Sequence, residues 1–206
     1  MDPRKHEVRT VKESLKLGLI LLIISACSGL ILGVANSYTS EVIAQKELEA
    51  TLASYRDIYG DKADAFEPYD EEKLQALQEK HPSIANVFVA KKGGEVVGYG
   101  INFYANGYGG QMQNAVGFLG ADRMAGFRNI QNSETPNLGS RIAEEPFYST
   151  FTDKSIEGPL TGSATGAGEN EVMSMTGATI SSKGVLNALN EVIEIYHNEI
   201  EGGAQG

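Results

Sequence analysis

The most apolar part of the chain lies near its N-terminus, where residues 17–35 contain no Asp, Glu, Lys, Arg or His. This length is close to the roughly 20 residues that a helix needs to cross the hydrocarbon core of a bilayer. The pattern therefore predicts a transmembrane helix over residues 17–36. Residues 1–16 carry a net charge of +2 and the remainder of the chain carries −12. The positive-inside rule then places this short tail in the cytoplasm and everything after the span outside.

Two other interpretations of this segment stay open. Gly33, Val34 and Ala35 fit the small-residue cleavage site of a signal peptide, but the apolar core of a signal peptide usually spans about 7–15 residues. Residues 24–27 loosely fit a lipoprotein processing site that ends at Cys27. The apolar run continues well beyond this cysteine, and a lipid-anchored N-terminus would not need that continuation. The length of the run favours an uncleaved anchor.

A helical pattern follows the span and begins a predicted stalk and connector over residues 37–82. Apolar positions recur at helical spacing between Tyr38 and Tyr59, and Gly60 ends this pattern. The residues of this predicted apolar face are Val42, Ile43, Leu48, Leu52, Tyr55 and Ile58. The charged remainder of the region contains a short predicted helix at residues 71–79.

After residue 83 the apolar positions change from a helical to an alternating pattern. Two pairs of strand-like runs follow, and each pair is joined by a glycine-containing turn. The predicted hairpins join residues 85–90 to 96–104 and residues 112–119 to 124–130. A final helix has apolar residues at Val185, Leu186, Leu189, Val192, Ile193, Tyr196 and Ile200. The sequence thus predicts an α+β fold, in which a single N-terminal transmembrane helix precedes a domain over residues 83–206 with antiparallel β-hairpins and a C-terminal helix.

Charge and composition exclude some kinds of partner and site. The formal net charge of −10 argues against a nucleic-acid partner, because such partners attract basic surfaces. The single cysteine excludes an intramolecular disulfide or a multi-cysteine metal site. His6, His81 and His197 are widely separated in the sequence, so we expect no metal site.

The stretch Ser174–Lys183 carries the clearest chemical signal. Five of its ten side chains bear hydroxyl groups, and it stands directly before the last helix, so Ser181 or Ser182 is the predicted N-cap. A helix N-terminus offers unpaired N–H groups and a favourable dipole to a phosphate. The simpler alternative is that these hydroxyl groups only cap the helix. Neither a phosphate-binding loop with Gly-x-x-x-x-Gly-Lys spacing nor a Gly-x-Ser-x-Gly nucleophile elbow can be written here.

The run Thr176-Gly177-Ala178-Thr179, followed by Ile180-Ser181-Ser182, resembles the flavinylation motif of the FMN-binding domain family. In that family the last Thr of the motif carries FMN through a phosphoester bond. The resemblance therefore implies a covalent FMN on Thr179, with its phosphate over the amides of residues 180–183. It also assigns the neighbours of this residue to the cofactor site: Thr176, Gly177, Ala178, Ile180, Ser181, Ser182 and Lys183.

Two further motifs make the resemblance more specific. Gly107-Tyr108-Gly109-Gly110 stands before the second hairpin, and Glu134-Thr135-Pro136-Asn137-Leu138-Gly139 follows it. This order is similar to the G-type subunit of the Rnf electron-transport complex, and the C-type subunit of the sodium-pumping NADH:quinone reductase is the second candidate relative. The resemblance implies an apolar slot for the isoalloxazine ring, with a wall formed by Glu134, Thr135, Leu138 and Gly139. The alternative for this wall motif is an ordinary surface turn.

The resemblance also implies a function and a set of partners. It indicates an electron relay, without catalytic residues of its own, on the outer face of a cell membrane. The complex would move electrons between ferredoxin and NAD⁺ and couple this transfer to Na⁺ or H⁺ translocation. Its partners would be other membrane and iron–sulfur subunits, and a flavin transferase would attach the FMN. A non-flavinylated, membrane-anchored binding module is the alternative from another functional class.

Three positions depart from the family pattern, and one of them is Arg123, which stands in the turn of the second hairpin where the family often has Gly. Asn137 stands where the family motif has Gly, and Asn tolerates a positive φ better than most residues. Met173 stands six positions before Thr179, where the family motif commonly begins with Asp. The nearest acidic residue is Glu171.

Overall fold

The structure is a computed structural model that describes the backbone of residues 3–201 and the side chains of residues 15–37, 39, 42–43 and 45–201. The chain divides into two compact units, residues 1–48 and residues 49–206. Helix α1 (Pro3–Tyr59) contributes to both units. The backbone of the predicted tail is thus helical from Pro3, whereas most of its side chains lie outside the described residues.

In the first unit, α1 contains one segment that is long and apolar enough to cross a membrane, by length and composition alone. This segment is Leu15–Ser37, and its side chains are exposed. It includes the whole of the predicted span. Val42, Ile43 and Leu48 are also exposed, so the apolar face predicted for the stalk is buried only from Leu52 onward.

The second unit is built on a six-stranded antiparallel sheet in which neighbouring strands follow one another in the sequence. The strands are β1 (Ala65–Pro68), β2 (Ile84–Lys92), β3 (Glu95–Asn106), β4 (Gln111–Leu119), β5 (Arg123–Gln131) and β6 (Lys154–Ser155). The two predicted hairpins are confirmed as β2–β3 and β4–β5. Strand β1 lies in the predicted charged connector and was not predicted, because its extended conformation depends on pairing with β2.

Shorter elements complete the second unit. The helices are α2 (Glu71–Lys80), α3 (Glu145–Tyr148) and α4 (Thr179–Ile195), which continues as a π-helical turn at Tyr196–Glu201. Single 3₁₀ turns occur at Gly60–Lys62, Gly139–Ala143 and Ser149–Phe151. Strands β7 (Thr161–Ser163) and β8 (Glu171–Met173) form a separate parallel pair. Helix α2 confirms the short helix predicted in the connector.

The end of α1 packs against one face of the sheet. Tyr55, Ile58 and Tyr59 are buried there. A Cβ atom added at Gly117 would lie 2.6 Å from Ile58 Cγ2, and one at Gly100 would overlap the Tyr55 ring. The absence of side chains at these two strand positions therefore permits the close approach of the helix. Gly60 has φ +51° and follows the last helical residue, in agreement with its predicted role as the helix stop.

The opposite face of the sheet carries the larger core. Helix α4 supplies Val185, Leu189 and Val192 to it, and all three are fully buried. A Cβ atom at Gly184 would overlap the carbonyl oxygen of Asn106, so α4 lies directly against the end of β3. This contact sets the first turn of α4 beside the loop that joins β3 to β4.

Tyr55→Phe is expected to lower the free energy of unfolding by about 1–3 kcal/mol. The Tyr55 hydroxyl donates to Asn102 Oδ1 at 2.6 Å, and Asn102 Nδ2 donates to Thr51 Oγ1 at 3.0 Å. Burial, and then the neighbouring Tyr59, raises the pKa of Tyr55 well above its ordinary value, so the hydroxyl keeps its proton and remains a donor. The substitution leaves a buried amide oxygen without this donor. Thermal unfolding of the full chain in mild detergent, with the half-buried Tyr104→Phe as control, measures the loss. Equal unfolding midpoints for the two variants would contradict it.

Candidate cofactor-binding site

The first turn of α4 forms one side of the candidate site, and it begins earlier than predicted. The N-cap is Ala178, and the helix starts at Thr179. The predicted N-cap at Ser181 or Ser182 is therefore wrong. The N–H group of Ser182 already donates to the carbonyl of Ala178 at 2.9 Å. The N–H groups of Thr179, Ile180 and Ser181 precede this bond, so they are the ones without an intrahelical partner.

The two serine hydroxyl groups have other partners. Ser181 Oγ donates to Glu134 Oε2 at 2.8 Å, and Ser182 Oγ donates to the carbonyl of Ala178 at 3.0 Å. Both serines are buried. Glu134 lies 47 residues before Ser181 in the sequence, so a local capping rule could not anticipate this bond.

Thr179 lies at the surface, at the start of α4, of which it is the first residue. Among the side chains that the structure describes, its hydroxyl makes one hydrogen bond, a long one of 3.4 Å to the carbonyl of Met175. Gly177, two residues earlier, has φ +84°, which is a backbone conformation that favours glycine. The chain thus presents the threonine hydroxyl to solvent at the positive end of the helix dipole.

A cavity of about 500 Å³ opens beside Thr179. The motif at the start of α4 lines one side of it with Gly177, Ala178, Thr179, Ile180 and Ser181. The wall motif lines another side with Glu134, Thr135, Leu138 and Gly139. The structure thus brings together two sequence motifs that are separated by about 40 residues.

Three residues assigned to the site do not line this cavity. Thr176 is exposed, Ser182 is buried within the helix, and Lys183 is exposed just after the first turn of α4. Asn137 has φ +60°, a positive value that Asn tolerates better than most residues. Met173 ends strand β8, and its N–H group donates to Thr150 Oγ1 at 3.1 Å.

Tyr108 is a lining residue that was missing from the residues assigned to the site. It belongs to the loop between β3 and β4, and its side chain is 73% exposed at the cavity. The composition of the run Gly107-Tyr108-Gly109-Gly110 indicates a flexible loop. Composition alone therefore does not indicate a function for the tyrosine. The signal in the sequence is the motif itself, which contributed to the family resemblance without the tyrosine being assigned to the site.

The exposed rim of the cavity is apolar. Tyr108, Leu138 and Ile180 are all exposed by about half or more of their surface, although large apolar side chains are usually buried. Glu134 is the one carboxylate among the lining residues. The arrangement therefore offers apolar walls, a row of amides without intrahelical partners at a helix N-terminus, and an exposed hydroxyl.

Comparison with known proteins assigns this part of the chain. Residues 107–194 match the family model of the FMN-binding domain. This match includes both motifs that line the cavity and the loop that carries Tyr108. The second unit therefore contains an FMN-binding domain.

A solved structure shares the fold. It is the C-type subunit of the Na⁺-translocating NADH-quinone reductase from Parabacteroides distasonis, at 22% sequence identity and a TM-score of 0.52. The similarity covers 65% of this chain and 76% of that one. It supports the α+β architecture with its antiparallel sheet and C-terminal helix.

Two curated relatives match over most of their length. The G-type subunit of the Na⁺-translocating ferredoxin:NAD⁺ oxidoreductase complex of Acetobacterium woodii is 33% identical over 190 residues, which cover 89% of this chain and 91% of the relative. The G-type subunit of the proton-translocating ferredoxin:NAD⁺ oxidoreductase complex of Clostridium ljungdahlii is 28% identical over 81% of this chain and 83% of the relative. These matches confirm the resemblance found in the sequence motifs: the chain belongs to the family of G-type subunits of ion-translocating oxidoreductase complexes of the Rnf type.

Proposed function

We propose that this chain is an electron-carrying subunit with a covalently bound FMN, in a membrane complex that transfers electrons between ferredoxin and NAD⁺ and couples this transfer to Na⁺ or H⁺ translocation. The observation that carries the proposal is the exposed hydroxyl of Thr179, at the start of α4 and on the rim of the cavity. When bound, FMN supplies one- and two-electron transfer. Relatives named as subunits of ferredoxin:NAD⁺ oxidoreductases support the proposal.

The residues of the cavity fit this cofactor. The volume of about 500 Å³ lies within the ~300–1,000 Å³ of typical small-molecule sites. Ala178, Leu138 and Ile180 supply apolar surface for a flat ring, and Gly177 adds no bulk beside them. The three amides at the start of α4 that lack an intrahelical partner suit a phosphate group, because N–H donors and the helix dipole both favour negative charge there. This assigns the phosphate to the amides of residues 179–181, rather than to those of residues 180–183.

The proposed attachment is a phosphoester at Thr179. Its Oγ1 attacks the FMN phosphorus of FAD, a bond forms between Oγ1 and phosphorus, and the pyrophosphate bond breaks with AMP as the leaving group. The hydroxyl proton passes to a base of the flavin transferase. The one described hydrogen bond of the Thr179 hydroxyl goes to a backbone carbonyl, which does not activate it as a nucleophile. A separate transferase is therefore part of the proposal.

The lining of the cavity supports a relay rather than an independent catalyst. Its one carboxylate, Glu134, accepts hydrogen bonds from Gly109 and Ser181 on its two oxygens. Such a carboxylate is already occupied and is poorly placed to exchange protons with a substrate. The chain therefore holds and orients the cofactor, and the donor and acceptor of electrons are expected on other subunits.

The proposed location is a cell membrane, with the N-terminus in the cytoplasm and the FMN-binding domain outside. The apolar segment Leu15–Ser37 serves as the anchor, and the basic tail before it sets the orientation. Residues 17–35 contain no Asp, Glu, Lys, Arg or His, so this stretch of the anchor offers no charged side chain for an ion pathway. Ion translocation is accordingly assigned to other membrane subunits of the complex.

Mass spectrometry of the chain from its native host tests the proposal. The peptide that contains Thr179 is expected to carry one FMN in phosphoester linkage, so its mass is that of the peptide plus FMN minus one water. The denatured chain is expected to keep its flavin emission through gel electrophoresis. A bare Thr179 in native material would reject the covalent attachment and favour a non-flavinylated binding module.

A further inference from the structure

Glu134 is a buried carboxylate that bridges two distant segments. Only 7% of the residue is exposed. Its Oε1 accepts from the N–H group of Gly109 at 3.0 Å, and its Oε2 accepts from the hydroxyl of Ser181 at 2.8 Å. One oxygen therefore holds the loop between β3 and β4, and the other holds the first turn of α4.

Glycines pack closely around this carboxylate. A Cβ atom at Gly107 would overlap Glu134 Oε1, and a Cβ atom at Gly139 would overlap Glu134 Oε2. The latter atom would also lie 2.8 Å from Ser181 Oγ. The β3–β4 loop at Gly107 and the turn at Gly139 thus both lie directly against the carboxylate, and a side chain at either position would displace it.

A chain of amides fixes the backbone of Glu134. Its N–H group donates to Asn132 Oδ1 at 3.1 Å, Asn132 Nδ2 donates to Asn129 Oδ1 at 2.6 Å, and Asn129 Nδ2 donates to Asn114 Oδ1 at 2.8 Å. All three bonds run in one direction, so each polarises the next. Asn114 is fully buried in β4, and Asn129 lies in β5. The carboxylate is thereby anchored to the central strands of the sheet.

The bridge lies next to residues of the cavity. Gly109 directly follows Tyr108, and Ser181 is two residues after Thr179. Tyr108 itself is 73% exposed, so its own packing does little to hold it at the cavity. We infer that Glu134 is a positioning residue, which holds the Tyr108 loop against the start of α4 so that the tyrosine ring covers the flavin slot. This inference rests on the proposed function and assigns Glu134 no direct contact with the ring.

The bridge requires a hydrogen-bonding atom at both ends of the residue-134 head group, and this requirement distinguishes two substitutions. In Glu134→Gln, the amide oxygen still accepts from Gly109 N–H, and Ser181 Oγ rotates to accept from the new NH₂ group. In Glu134→Ala, both donors lose their partner. The inference therefore predicts that Gln preserves the position of Tyr108 and that Ala releases it.

Flavin emission reports the position of Tyr108, because a tyrosine ring stacked on flavin quenches it. The experiment compares the unmodified full-length chain with Tyr108→Ala, Glu134→Ala, Glu134→Gln and the double alanine variant, each coproduced with a flavin transferase. Mass spectrometry measures the bound flavin, and the emission of each variant is divided by that amount. Both single alanine variants are expected to raise the flavin emission per bound flavin by roughly threefold. The double variant is expected to equal Tyr108→Ala, since coupled residues are not additive. Glu134→Gln and the exposed control Glu157→Ala are expected to match the unmodified sequence.

Hydrogen exchange provides a readout that does not depend on flavin. Peptides that cover residues 107–110 are expected to lose protection in Glu134→Ala and to keep it in Glu134→Gln. Unchanged exchange, or additive effects of the two alanine substitutions on emission, would overturn the inference.

If the unmodified chain carries no flavin, the proposed function fails and exchange alone decides the role of Glu134. If Glu134→Ala does not fold, Ser181→Ala removes one of the two hydrogen bonds of the bridge. It is expected to raise the flavin emission per bound flavin to a smaller extent. No rise in that variant would also overturn the inference.

Discussion

Thr179→Ala is expected to give a folded, membrane-bound chain that contains no covalent flavin. The substitution removes the only atom of this side chain that can form a phosphoester. Thr179 is exposed, and its hydroxyl makes only a long hydrogen bond to Met175 among the described residues. The change in folding free energy should therefore stay within about 0.5 kcal/mol. Intact mass and in-gel flavin emission measure the loss, which is expected to be essentially complete.

Two matched variants test the role of this hydroxyl. Thr179→Ser keeps a hydroxyl at the same position and is expected to retain flavin. Thr152→Ala removes an exposed hydroxyl outside the motif that does not line the cavity, and it is expected to be flavinylated normally. Full flavin emission from the Thr179→Ala chain would show that the cofactor is attached elsewhere or is held without a covalent bond.

The sheet was predictable from the sequence because its signals are local. Alternating apolar residues mark β2, β3, β4 and β5, and glycines mark the turns between them. Gly93 and Gly94 have φ +59° and +89°, as a tight turn between paired strands requires. These features depend on neighbouring residues, so no knowledge of tertiary contacts is needed to find them.

The start of α4 was predicted wrongly because its serines serve a distant residue. A run of hydroxyl residues before a helix usually marks the N-cap, but Ser181 donates to Glu134 and Ser182 donates back to Ala178. The cap position falls on Ala178 instead. Tertiary bonding therefore overrides the local capping preference at the place where the cofactor site is formed.

Tyr108 and the bridge through Glu134 show a further limit of sequence reasoning. The two motifs of the site were recognised separately, and their residues do lie around one cavity. Glu134 of the wall motif is joined to the Tyr108 loop by a hydrogen bond across 25 residues and to the start of α4 by another across 47 residues. No periodic pattern in the sequence predicts such distant bonds. The bridge requires glycine at positions 107 and 139, where a side chain would overlap the Glu134 carboxylate. In the sequence alone these two residues are indistinguishable from ordinary loop glycines.

The region between β5 and α4 has little regular structure, so its packing depends on buried side chains. Helix α3 has only four residues, and strands β6, β7 and β8 have two or three each. The buried apolar residues that hold this region to the main core are Ile142, Phe147, Phe151, Ile156, Leu160 and Val172. This same region contains Gly139 and Leu138 of the cavity wall, so its stability bears directly on the site.

Phe151→Ala is expected to lower the free energy of unfolding by about 3–5 kcal/mol. The Phe151 ring is fully buried, with its centroid 4.7 Å from that of Phe127 and 5.0 Å from that of Phe147. Its removal leaves a cavity, because Phe127 belongs to the sheet and has little freedom to move into the space. A loss of this size is a large part of the roughly 5–15 kcal/mol that stabilises a typical domain. Thermal unfolding of the full chain in mild detergent measures the effect.

The controls for Phe151→Ala test whether burial is the cause. Val96→Ala truncates an apolar side chain that is 54% exposed at the start of β3, and its effect is expected to stay near zero, within about 0.5 kcal/mol. Phe151→Leu retains most of the buried volume and is expected to lose less stability than the alanine variant. If Phe151→Ala is as mild as Val96→Ala, the segment between β5 and α4 is held by contacts other than the phenylalanine cluster. If it instead unfolds early and also exposes residues 134–139 to proteolysis, the cluster supports the wall of the flavin site as well as the fold.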